Sequence, residues 1–113
     1  MAVAASGPEG PILVIEDEDD MRTLFVRLLS AEGYAAIGAS DGAAALRILR
    51  EQDVRPCLIV LDLVMPGMDG WEFRALQRRD PRLASVPVVV VSGYGDMLSD
   101  DDLGAIDVFT KPV

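Results

Sequence analysis

Short apolar runs alternate with amphipathic stretches along the chain. Each run is four to six residues long, is bounded by polar or turn-forming residues, and predicts a β-strand. Five such strands are expected, at residues 12–15, 34–39, 57–62, 87–91 and 106–110. Strands that alternate with helical patterns are typical of βα units around a parallel sheet, so the pattern predicts an α/β fold.

Helical periodicity fills the intervals between these runs. After the first run, apolar residues recur at the spacing of one helix face, and Gly33 can end that helix in a left-handed conformation. An Ala-rich helix is expected from about Asp41 to Arg50, with Leu46 and Leu49 inward, and another from Asp69 to about Arg79. Only a short helix fits between the last two runs, at about 97–103. The apolar face of the first helix consists of Met21, Leu24, Phe25, Leu28 and Leu29.

The length of 113 residues predicts one domain with a real core. Residues 1–11 lack the basic start and the long apolar stretch of a secretion signal, so we interpret them as a flexible lead-in and residues 12–113 as the domain. The single cysteine, Cys57, excludes an internal disulfide and fits a reducing compartment. We therefore expect a cytoplasmic location.

Charge and the absence of histidine exclude several classes of function. The formal net charge of −9 argues against direct contact with nucleic acid or with an anionic membrane, both of which favour Lys and Arg. A basic or metallic partner is the natural complement. Because the chain has no histidine, Ser-His and Cys-His catalysis and the usual zinc sites are excluded within it.

Polar side chains follow the predicted strands where each strand ends. Strands of a parallel sheet present their carboxyl ends at one edge, so these side chains are expected to meet there. Three carboxylates in one place require a cation, and an all-oxygen ligand set suits Mg²⁺. A carboxylate beside Mg²⁺ and a lysine is also competent to attack phosphorus. The residues concerned are Glu16, Asp17, Asp62, Ser92, Thr110 and Lys111.

Four segments resemble the receiver domain of bacterial two-component response regulators, in the order and at about the spacing of that family. They are ILVIEDEDDMR, LIVLDLVMPGMDG, VPVVVVSG and DVFTKPV, and the resemblance extends from Ile12 to Val113. It implies a flavodoxin-like, doubly wound five-stranded parallel sheet in the order 2-1-3-4-5. Compared with the family, the fourth helix is expected to be short and the fifth helix to be missing after the last strand.

The resemblance also implies a phosphoacceptor function. Asp62 matches the residue that takes a phosphoryl group from a histidine kinase or a histidine phosphotransfer protein. Mg²⁺ would be held by Glu16, Asp17, Asp62 and the backbone carbonyl of Val64. The chain would then be a signalling switch with slow self-dephosphorylation at most, and not a metabolic enzyme.

Three further residues match the switching apparatus of the family. Ser92 corresponds to the switch hydroxyl, and Lys111 to the lysine that pairs with the acceptor or the phosphate. Phe109 corresponds to the aromatic residue whose rotamer follows the state of the switch, although it fits an ordinary core position equally well. The output surface of the family often dimerises, so a homodimer is a further expectation.

Two alternatives remain open at the level of sequence. The first is a phosphatase that turns over an aspartyl phosphate, and it would require a second carboxylate at position 64, where this chain has Val64. Rapid hydrolysis of small phosphomonoesters would favour it. The second is a protein-interaction module that keeps the fold without using phosphorylation. Failure of acetyl phosphate and Mg²⁺ to label the chain would favour that alternative.

Overall fold

The computed structural model describes residues 10–52, 54–62, 70–92 and 107–110. For residue 92 and residues 107–110 the description covers the backbone alone. Within these ranges the strands are β1 (Ile12–Ile15), β2 (Ala36–Ala39), β3 (Leu58–Asp62), β4 (Val88–Ser92) and β5 (Asp107–Thr110), and the helices are α1 (Asp19–Ala31), α2 (Gly42–Glu51) and α3 (Gly70–Arg79). The short helix expected at about 97–103 lies outside the described residues, and so does Asp69, the residue at which the third helix is expected to begin.

All strand pairs are parallel, and the sheet has the order β2-β1-β3-β4-β5. The predicted α/β class with a parallel sheet is confirmed. From β1 the chain moves to one neighbour, β2, and then crosses back to β3 on the other side. Because parallel crossovers are right-handed, this reversal places α1 and α2 on opposite faces of the sheet. The crevice at such a reversal is where open α/β sheets bind their ligands.

The hydrophobic core lies on the face that α2 and α3 cover. Alternate residues of each strand point to this face, as the two-residue repeat of a strand requires. Leu46 and Leu49 of α2 point into the core, as the sequence predicts, and Phe73 of α3 is fully buried among them. The buried residues of this cluster are Leu13, Ile15, Ala39, Ala45, Leu46, Leu49, Ile59, Leu61, Phe73, Leu83, Val88 and Val90.

Helix α1 lies against β1 and β2 on the opposite face and contributes no fully buried residue. Of its predicted apolar face, Leu24 remains 47% exposed and Leu28 55% exposed. The helix ends as expected, since Gly33 adopts a φ of 95° and its N–H donates to the Ser30 carbonyl oxygen at 3.0 Å. None of the described helices combines the length and the hydropathy that a bilayer span requires.

A buried polar network connects α3 to the turn that precedes β4. The side-chain amide of Gln77 is fully buried; its nitrogen donates to the carbonyl oxygens of Leu83 at 2.9 Å and Val86 at 3.2 Å. Its oxygen accepts a hydrogen bond of 2.7 Å from Nη1 of Arg74. Burial lowers the pKa of the Arg74 guanidinium, and the charge of Arg78 lowers it further. The network fixes the start of β4, the strand next to β3.

Gln77→Ala is expected to lower the free energy of unfolding by about 2 kcal/mol, because two carbonyl groups and one guanidinium lose a buried partner. Urea denaturation followed by circular dichroism measures the change. Gln52→Ala is the matched control, since the Gln52 side chain is exposed at the end of α2. Equal changes in the two variants would show that the network contributes little.

Candidate phosphoryl-acceptor and metal site

Three carboxylates meet where β1 and β3 end. Ile15, the last residue of β1, pairs with Leu61, so the next residues, Glu16 and Asp62, lie side by side. Asp17 follows Glu16 in the turn before α1. One carboxylate oxygen from each of Glu16, Asp17 and Asp62 lies within 4.8 Å of the others. The structure therefore brings together the three acidic residues that the sequence placed at strand ends.

The three side chains differ in their access to solvent. Glu16 is 1% exposed and Asp62 is 4% exposed, whereas Asp17 reaches the surface. Burial of an ionised carboxylate is energetically unfavourable, and three ionised carboxylates at this separation repel one another. A bound cation would offset both costs.

The backbone around Glu16 explains how the turn is built. The Glu16 N–H donates to the Ala39 carbonyl oxygen at 3.0 Å, which extends the pairing of β1 and β2 by one bond. Oε2 of Glu16 accepts a hydrogen bond of 3.1 Å from the N–H of Glu18, the N-cap residue that precedes α1. Asp19 and Asp20 occupy the first turn of that helix, where negative charge is favourable. These two aspartates therefore have an ordinary structural explanation.

The donor set fits a hard divalent cation. Carboxylate oxygens are the protein ligands that Mg²⁺ prefers, and Mg²⁺ takes only a few of them because it retains several waters. Three carboxylates within 4.8 Å offer enough oxygens for such a site. When bound there, the cation would neutralise negative charge on an incoming phosphoryl group.

The structure places the other predicted site residues only in part. The backbone of Ser92 ends β4, one residue beyond Val91, which pairs with Asp62. The backbone of Phe109 lies on β5, paired with Val91, and that of Thr110 pairs with Ser92. Their side chains lie outside the described part of the chain. Val64 and Lys111 fall outside the described residues altogether.

Arg22 contacts the turn and was not among the residues predicted from the sequence. Its Nη1 donates to the carbonyl oxygen of Glu16 at 2.9 Å, and its Nη2 pairs with Asp19. Nothing in the periodicity of α1 distinguishes Arg22 from Arg27. The only signal in the sequence is a glycine in a predicted strand, Gly38, whose lack of a side chain accommodates Arg22.

Comparison with known proteins gives one consistent family. The model of the response regulator receiver domain matches residues 12–113. The transcriptional regulatory protein AfsQ1 of Streptomyces coelicolor is 37% identical over 105 residues, which cover 90% of this chain and 44% of that protein. The chain thus spans less than half the length of this curated relative.

Solved structures agree with the sequence comparison. The N-terminal domain of a response regulator receiver protein from Methanoculleus marisnigri JR1 superposes with a TM-score of 0.81 at 30% identity, covering 94% of this chain and 87% of that one. The response regulator TrrA of Thermotoga maritima, solved in complex with Mg²⁺-BeF, gives a TM-score of 0.76 at 28% identity, covering 90% of this chain and 86% of that one. Both have the flavodoxin-like arrangement expected of such domains. The chain belongs to the response regulator receiver domain family of two-component signalling.

Proposed function

We propose that this chain is a Mg²⁺-dependent phosphoacceptor that receives a phosphoryl group on Asp62 from a histidine kinase or a histidine phosphotransfer protein. The observation that carries the proposal is the meeting of Glu16, Asp17 and Asp62 within 4.8 Å at the carboxyl ends of parallel strands. Asp62 ends the central strand β3 and has a buried carboxylate, which has no benefit for packing. A role as phosphoryl acceptor would explain why a carboxylate stands at this position.

The chemistry requires little from the protein beyond positioning and charge. A carboxylate oxygen of Asp62 attacks the phosphorus of a phosphohistidine; the O–P bond forms as the N–P bond breaks, and the electron pair of the broken bond stays on the imidazole nitrogen. Glu16, Asp17, Asp62 and the carbonyl of Val64 would hold the Mg²⁺. Lys111 would balance charge on the phosphoryl oxygens. Positioning and charge neutralisation supply most of the catalysis in transfers of this kind.

Phosphorylation would then shift a conformational equilibrium. The phosphate would draw the Ser92 hydroxyl inward, and the vacated space would admit Phe109. A few kcal/mol of differential interaction are enough to shift such an equilibrium. The domain would comprise residues 12–113 with five parallel strands. It would act in the cytoplasm as a switch and not as a metabolic enzyme, without direct contact to nucleic acid or membrane, and its output face would support a homodimer.

The test of this proposal is labelling of the wild-type chain by acetyl phosphate. Intact-protein mass spectrometry is expected to detect one added phosphoryl group in the presence of Mg²⁺ and none in the presence of a chelator. The difference follows from the charge of the acidic cluster, which opposes an anionic phosphoryl donor unless a cation is bound. Absence of labelling under both conditions would contradict the proposal and favour an interaction module.

A further inference from the structure

Arg22 connects the end of β1 to the start of α1. Nη1 donates to the carbonyl oxygen of Glu16 at 2.9 Å, one residue beyond the last paired residue of β1. Nη2 pairs with the carboxylate of Asp19 in the first turn of the helix. The planar guanidinium can make both contacts at once because its donors point in fixed directions. The turn that carries Glu16 and Asp17 is therefore tied at both ends by one side chain.

Gly38 of β2 provides the surface on which Arg22 lies. A Cβ atom added at Gly38 would stand 3.1 Å from both Cγ and Cδ of Arg22 and 3.6 Å from its Nε. The methylene stem of Arg22 thus rests directly on the backbone of β2, beside Val14 of β1 in the strand register. A methyl group at this position would displace the stem by a few tenths of an ångström. The guanidinium at its end would move with it.

We infer that Arg22 and Gly38 are a positioning pair for the metal site. Gly38 seats the stem of Arg22, and the guanidinium of Arg22 holds the Glu16 carbonyl, so that the carboxylates of Glu16 and Asp17 stay where they can share a cation. The inference rests on the proposed function, since it concerns the same acidic cluster. Arg22 acts through the backbone and needs no contact with the metal.

The sign of the effect separates positioning from simple electrostatics. A guanidinium near the site repels a divalent cation, so charge alone predicts that its removal tightens Mg²⁺ binding. Positioning predicts the opposite. Loss of groups that orient metal ligands commonly weakens metal affinity by about 10-fold or more.

The experiment is calorimetric titration of the full chain with Mg²⁺ after chelator treatment. Arg22→Ala is expected to weaken Mg²⁺ binding by about 10-fold. Arg22→Lys should weaken it by less, because the lysine ammonium can still donate a hydrogen bond to the Glu16 carbonyl oxygen but lacks the planar guanidinium that also pairs with Asp19. Arg27→Ala is the matched control, since Arg27 is an exposed arginine of the same helix, and it should bind as the wild type does. Unchanged or tighter binding by Arg22→Ala would overturn the inference.

Gly38→Ala tests whether the close contact between β2 and the stem of Arg22 affects Mg²⁺ binding. It is expected to weaken Mg²⁺ binding severalfold in the wild-type background and not at all in the Arg22→Ala background, a double-mutant cycle that isolates the coupling. Thermal denaturation of the metal-free variant should show a cooperative transition, so that a change in Mg²⁺ affinity does not reflect loss of the fold. Equal weakening in both backgrounds would overturn the inference.

Two outcomes distinguish this inference from the proposed function. A wild-type chain that binds Mg²⁺ but accepts no phosphoryl group would refute the phosphoacceptor function and leave the titrations decisive for Arg22. A wild-type chain that binds no Mg²⁺ at millimolar concentrations would overturn the inference directly. If Arg22→Ala fails to fold, the Mg²⁺ affinity of Arg22→Lys is compared with that of Arg27→Lys instead. Equal Mg²⁺ affinities of these two variants would overturn the inference.

Discussion

Asp62→Asn is expected to abolish phosphoryl incorporation from acetyl phosphate. The substitution keeps the size and shape of the side chain at the end of β3 but replaces the carboxylate nucleophile with a neutral amide. The other carboxylates of the cluster remain, so a cation can still be bound in part. Intact-protein mass spectrometry should show the wild type gaining one phosphoryl mass while the variant stays below detection under the same conditions.

Asp20→Asn is the matched control for this loss. It removes the same unit of charge from an exposed aspartate in the first turn of α1, outside the three-carboxylate cluster. We expect its labelling to match that of the wild type. Circular dichroism of both variants would show that the fold is retained. Equal labelling of Asp62→Asn and wild type would show that a different residue is the phosphoacceptor and that the assignment of Asp62 is wrong.

The strands of the sheet could be predicted because burial leaves a direct trace in sequence. Strands covered on both faces require nearly unbroken apolar runs, and β1 and β3 have them. The weaker run at 34–39 gave a strand that begins too early, since β2 starts at Ala36. Tyr34 is not available for the sheet, because its N–H donates to the Leu29 carbonyl oxygen at the end of α1. The hydrogen bonds that end α1 therefore delay the start of β2, and the pattern of apolar residues does not reveal this.

Helical periodicity identifies an apolar face but not what covers it. Met21, Leu24 and Leu28 recur at helical spacing, yet Leu24 and Leu28 remain about half exposed on α1. Conversely, Gln77 lies in a polar helix and is fully buried, because carbonyl groups of the following turn need its amide. Both outcomes depend on which elements become neighbours, and the local pattern does not contain that information.

The acidic site was largely predictable because parallel strands deliver their ends to one edge. The neighbours Glu16 and Asp17 nevertheless differ sharply in burial, since successive residues leaving a strand point to different sides. The contact of Arg22 with the Glu16 carbonyl was not predictable, because it joins two elements across a turn. Residue types and strand ends therefore predict the acidic cluster but not the contacts that support it.

Mg²⁺ is expected to reverse the order of thermal stability of the wild type and Asp17→Asn. Without metal, the variant should be the more stable protein, by about 1 kcal/mol or less, because one of three neighbouring negative charges is gone and solvent screens the remainder. With Mg²⁺, the wild type should be the more stable protein. A ligand at about 100 times its Kd stabilises the folded state by about 2.7 kcal/mol, which corresponds to a rise in Tm on the order of 10 °C for a chain of this size.

Thermal denaturation in chelator and in a Mg²⁺ series, at constant ionic strength, measures both halves of this prediction. Asp20→Asn again serves as the control, because its carboxylate lies outside the cluster and its Tm should rise with Mg²⁺ as that of the wild type does. A constant ionic strength is needed since general screening would also relieve repulsion among the acidic residues. If Asp17→Asn gained as much stability from Mg²⁺ as the wild type, Asp17 would not be a ligand of the cation, and the three-carboxylate metal site proposed here would be wrong.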